Sequence, residues 1–216
     1  MTKKKGQSET PQQFIDTPAG MFTTSGNWFH ISSDGLKKYA PGLFEVKSVG
    51  EIIRDTEAWI RSSDSLAILL FFVLLLTTNL STAGLVSLIF LPLWHLNKSA
   101  LVSPAASTLI RVLDKEFVVV LVAVVALSLL GINEAYYELI VGFLFFFLFK
   151  FGWYRKGIDR VYPKFKSGGL TLNDRLLRML VLKYALAEGA NVKEVEKMEH
   201  DFLKLIREQQ NKLKKK

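Results

Sequence analysis

Two long stretches of the chain are almost free of charge. Residues 66–96 hold no Asp, Glu, Lys or Arg, and residues 117–149 hold only Glu134 and Glu138. Both exceed the roughly 20 apolar residues that cross a bilayer core about 30 Å thick, so the pattern predicts membrane-embedded helices. As a single helix, 66–96 would extend roughly 46 Å, about half as long again as the hydrocarbon. Its middle, Thr77-Thr78-Asn79-Leu80-Ser81-Thr82-Ala83-Gly84, carries hydroxyl and amide groups that compete for backbone hydrogen bonds and favour turns and caps. A turn at Asn79 gives two helices of about 14 residues, roughly 21 Å each. In the second block, residues 117–130 are nearly all Val, Leu and Ala, Gly131 and Asn133 supply a helix stop and a new cap, and residues 135–153 are apolar again. The fold class expected is an all-α integral membrane protein: two hydrophobic helical hairpins, 66–96 and 117–153, making four short membrane helices.

The flanks are amphipathic. Over 44–61, Val46, Val49, Ile52, Ile53, Trp59 and Ile60 recur at helical spacing while Lys47, Glu51, Arg54 and Asp55 take other faces, which predicts a helix lying on the membrane surface. Ser103-Pro104 reads as a cap with proline at the first helical position, opening a second interfacial helix over 104–116. Aromatic and basic residues at the block edges are the expected membrane-interface anchors: Trp59, Arg61, Trp94, Lys98, Trp153, Tyr154, Arg155 and Lys156. Residues 1–43 read as a flexible, irregular N-terminal region, and 44–160 as the membrane domain. Residues 170–216 read as a cytoplasmic helical tail, in which Val195, Met198, Phe202 and Leu205 form a partner-helix face that packs back on the preceding helix.

Charge orients the hairpins. The chain has 28 Lys and Arg against 20 Asp and Glu. Eight of the basic residues fall in 1–65, three in 97–116 and seventeen from Lys150 onward, while the turns at 77–82 and 131–138 have none. Such a partition follows the positive-inside tendency for four crossings with both termini cytoplasmic, the expected location being a bacterial cytoplasmic membrane. The first apolar run starts near Leu66, so the leading hydrophobic block is expected to serve as its own insertion signal. The basic residues flank the blocks and do not form a patch with exposed aromatics, so nucleic acid is not an expected partner.

With no cysteine, thiolate catalysis and Cys-ligated metals are excluded. His30, His95 and His200 stand in three separate regions, and Gly168-Gly169 is a lone pair of glycines without a phosphate-loop pattern. Neither an enzyme nor a cofactor or metal site is expected. The layout of two short hairpins with an intervening surface helix, over 44–160, is similar to that of the reticulon and PRA1-type hairpin proteins, a resemblance that implies membrane shaping. The leading expectation is a non-catalytic accessory or scaffold subunit of a larger membrane assembly, in contact with lipids and with partner proteins or further copies of itself. A small transporter or channel component is the third reading.

Overall fold

The computed structural model describes residues 14–97, 103–132, 136–165 and 170–214; the N-terminal tail over 1–13, the anchor Lys98 and the turn residue Asn133 lie outside these ranges. The first described elements are strands. β1 (Phe14–Thr17), β2 (Gly20–Thr23) and β3 (Trp28–Phe29) form an antiparallel meander, with Ile15 opposite Phe22 and Met21 opposite Phe29. Only glycine fits at Gly20, where φ is +149° and a Cβ would lie 2.0 Å from the Phe29 carbonyl oxygen. The irregular region expected over 1–43 is therefore corrected from residue 14 onward. Turn residues at Thr17–Gly20 and Ser25–Asn27 bracket short apolar runs, and the strands hold because Met21, Phe29 and Ile31 are fully buried. Ser32 caps α1 (Ser33–Tyr39), and Pro41 opens α2 (Pro41–Val46).

The chain then enters α3 (Val49–Thr77), where Ser48 and Glu51 form a capping box. Its 29 residues run unbroken for roughly 43 Å. The separate surface helix expected over 44–61 is corrected: the backbone breaks at Lys47–Ser48, and the remainder is the first half of this long helix. Ser62 and Ser63 do not end it, because their hydroxyls donate to the Ala58 and Trp59 carbonyls one turn back, at 2.6 and 2.8 Å. Reversal comes at Thr78–Asn79, where the Asn79 side chain accepts the Thr82 N–H at 2.9 Å. From there α4 (Leu80–His95) returns along α3, bringing Trp94 onto Trp59.

After α5 (Pro104–Leu113), capped by Ser103, α6 (Glu116–Ile132) and α7 (Tyr136–Lys150) pack on the second half of α3. Gly142 allows this approach, since a Cβ there would stand 3.1 Å from the Leu127 side chain and 3.4 Å from that of Phe72. Past Gly152, at φ +64°, α8 (Trp153–Phe165) turns away from α7 by 61°. The last two helices are α9 (Leu172–Ala187), which opens on a Thr171–Asp174 capping box, and α10 (Val192–Lys214).

Two hydrophobic cores share α3 as their axis. Val49, Ile52, Ile53, Trp59 and Ile60 belong to a head built from the sheet, α1, α2, α9 and α10, while Ala67, Ile68, Phe71, Phe72 and Leu75 belong to a bundle with α4, α6 and α7. Where a tail was expected from residue 170, α9 is the head's central helix, with Leu172, Leu176, Leu177 and Val181 fully buried. The protein is mostly helical. Among the described helices α3 alone is long and apolar enough to cross a membrane, α7 and α8 counting as a second only if that bent pair is one span.

Candidate functional site at the junction of head and bundle

Polar side chains concentrate where the two cores meet. The turn between β2 and β3, at Ser25-Gly26-Asn27, reaches into this junction, with Gly26 at φ +82°. Ser25 donates to the buried Glu57 carboxylate of α3, and Asn27 Nδ2 donates to the same oxygen at 3.1 Å. On its other side Asn27 Oδ1 accepts from Arg155 Nη2 at 3.2 Å, and Arg155 Nη1 donates to Asp64. One amide therefore bridges a carboxylate and a guanidinium, tying the sheet to α3 and α8 through charge-assisted bonds. Arg155 is only 7% exposed. Gly152 gives it room, because a Cβ at that position would come within 2.9 Å of Arg155 Nη2.

Beside this network, α4 contains Pro92. With no N–H, proline cannot donate to the carbonyl four residues earlier, which belongs to Leu88. The Tyr154 hydroxyl donates to that Leu88 oxygen at 2.7 Å, so the first turn of α8 closes a gap in the backbone ladder of α4. His95 ends α4 fully buried; the Leu172 backbone approaches it, but neither ring nitrogen forms a hydrogen bond among the described residues.

A second cluster joins the sheet to α9. The Asp174 carboxylate accepts the His30 backbone N–H at 2.8 Å, meets His30 Nδ1 at 2.9 Å, and also accepts from the Thr171 hydroxyl at 2.8 Å. The Leu172 N–H donates to Asp159 of α8 at 2.8 Å. Burial alone would lower the His30 pKa, but the hydrogen bond and negative charge of Asp174 outweigh it, and the net shift is upward. For Asp159 burial dominates and raises the carboxyl to about 6, against the opposing Leu172 bond and the Arg155 charge.

The residues expected as interface anchors separate into two groups. Trp153 is 58% exposed, and Lys156 is exposed beside it. Trp59, Trp94, Arg61, Tyr154 and Arg155 instead make contacts within the protein. Trp59 is 3% exposed inside the head core, stacked on the half-buried Trp94 with ring centroids 6.0 Å apart. Arg61 pairs with Asp114 at 2.7 Å, Arg155 is the buried centre of the junction, and Tyr154 serves the backbone of α4. Gly131 lies in the last turn of α6, whose described residues end at Ile132. On α10, Phe202 is fully buried with its ring centroid 4.9 Å from that of Tyr39, and Val195, Met198 and Leu205 pack on the same core.

Sequence reasoning missed Asn27, Glu57, Asp64 and Asp174. Asn27 sits in a Ser-Gly-Asn turn signal between apolar runs, which pattern alone shows, and Asp174 in a capping box. The Arg155–Asp64 pair spans 91 residues and has no local signature. Comparison with family models, curated proteins and solved structures finds no match to this chain.

Proposed function

We propose that this protein is a non-catalytic accessory or scaffold subunit of a membrane assembly, held in the bilayer by the bundle, with its head on the cytoplasmic face beside both termini. One observation carries the reading: the outward side chains of the bundle are large and apolar. Leu85, Ile89 and Leu93 of α4, Leu121, Val124 and Val125 of α6, and Ile140, Phe143 and Leu144 of α7 are all exposed. Contiguous apolar surface of this kind marks contact with lipid or with another protein. The distribution of basic residues gives it direction, since the turns at 77–82 and 131–138 carry no Lys or Arg while the flanking segments carry all 28. A folded head on such an anchor presents a fixed surface to a partner.

The test is extraction followed by gentle purification. Alkaline carbonate is expected to leave the protein in the membrane pellet, and mild detergent to release it with stoichiometric partners or as a defined self-assembly. Release by carbonate alone, or migration in mild detergent as a lone small species, contradicts the reading.

Helix length favours a second reading. The helices α4, α6 and α7 have 16, 17 and 15 residues, roughly 23–26 Å each against a core about 30 Å thick. Short hairpins that reach only part of the way act as wedges and bend the membrane. Vesicles of the purified protein at high density are then expected to shrink or tubulate, and unchanged vesicle shape rules this out.

A further inference from the structure

An open cavity of about 190 Å³ lies at the junction, between α3, the start of α6 and the corner joining α7 to α8. A water molecule's share of liquid volume is ~30 Å³, so the cavity has room for a multi-atom group. Its lining changes character along the helices: α3 contributes Arg61, Asp64 and Ser65 and then Ile68, and Asp114 ahead of α6 is followed by Val119. Lys150 and Arg155 complete the charged part. Among the described residues, three cations and two carboxylates line this recess. Asp64 and Asn27 hold the guanidinium of Arg155, and Arg61 is bound to Asp114 through Nε, so that among the described residues its terminal nitrogens can meet a further acceptor. Guanidinium groups fixed in this way suit the paired oxygens of a phosphate.

The same seam continues as an apolar groove. One turn past Ile68 and Val119, a cavity of about 250 Å³ runs between Phe72, Val73 and Leu76 of α3 and Val122, Val125 and Leu129 of α6. From Asp64 to Leu76 the two cavities together follow roughly 18 Å of α3. A cationic recess leading into an apolar trough on the same two helices has the polarity sequence of an amphiphile. A free inorganic anion would use only the first half.

We propose that this seam binds one anionic phospholipid, its phosphate in the recess of Arg61, Lys150 and Arg155 and an acyl chain along the α3–α6 groove. The proposal rests on the membrane reading above and adds a lipid class to it. Bound there, the lipid bridges head and bundle.

The test uses the full chain, extracted in mild detergent, stripped of lipid and offered phosphatidylglycerol or phosphatidylcholine, with bound lipid counted by native mass spectrometry. One phosphatidylglycerol is expected per chain, preferred about tenfold over phosphatidylcholine. The variant R61Q/K150Q is expected to lose that preference. V125W, which fills the groove, weakens phosphatidylglycerol retention while leaving any binding of inorganic phosphate unchanged. Equal retention of both lipids by the unaltered protein overturns the proposal, as does a preference that survives R61Q/K150Q. Displacement of the lipid by millimolar phosphate, with V125W silent, assigns the recess to a free anion and overturns it too. A protein that needs detergent yet shows no lipid preference defeats this inference alone; one that stays soluble without detergent defeats the membrane reading itself.

Discussion

Arg155 and Asp64 are both nearly buried, at 8% and 13% side-chain exposure, and each is costly to the fold without the other. Removing one partner of such a pair strands a charge and typically costs 3–5 kcal/mol, whereas replacing both with apolar groups is often close to neutral. R155M is therefore expected to lower unfolding stability by about 3–5 kcal/mol, and R155M/D64L to recover most of that loss. Equal losses in the single and double variants, measured by denaturant unfolding in detergent, would show that the pair is not coupled. The His30–Asp174–Asp159 cluster predicts a pH dependence. The folded state raises the His30 pKa, so its contribution is complete below about 6.5 and is lost as pH rises through the folded value. Asp159, raised to about 6, also holds its proton more tightly when folded, and ionising it costs stability over the range from about 4 to 6. Both terms have the same sign. The melting temperature is expected to fall from pH 5 to pH 8, less steeply above pH 6 in H30Q; a rise over that range contradicts the assignment.

Pro92 and Tyr154 make the packing of α8 on α4 a matter of backbone satisfaction. Y154F leaves the Leu88 carbonyl without the hydroxyl and is expected to cost about 1–3 kcal/mol. P92A restores an N–H to the ladder, so Y154F should cost much less in that background. A cost unchanged by P92A would show that Tyr154 acts through ring packing alone. Much of the element plan was legible in sequence. The uncharged blocks, the Thr78–Asn79 region and the Ser103–Pro104 cap all carry local signals that need no tertiary knowledge. Two features were not. The periodicity over 44–61 identifies an amphipathic helix but does not say whether its apolar face meets lipid or protein, and only the burial of Ile52, Ile53 and Trp59 decides for protein. The strands at residues 14–29 are too short for alternation to stand out, and they persist because Met21 and Phe29 are fully buried in the head core. The ion pairs of the junction join residues far apart in sequence, where no spacing rule applies.

The whole molecule is an apolar bundle and a polar head threaded on one helix. Because α3 contributes to both cores, the head and the bundle share one continuous helix, and the junction network adds polar contacts between them. That arrangement is consistent with the proposed role of a subunit that fixes a partner's position relative to the membrane. It also makes topology the property on which the functional reading stands. The chain has no cysteine, so single cysteines at Ser48, Asn79 and Glu188, all exposed, can be probed with a membrane-impermeant maleimide in intact and permeabilised cells. Position 79 is expected to label in intact cells, and positions 48 and 188 only after permeabilisation. Labelling of 48 and 188 from opposite faces, or equal labelling of all three in a soluble fraction, would contradict a bundle inserted in the membrane with the head on a single side.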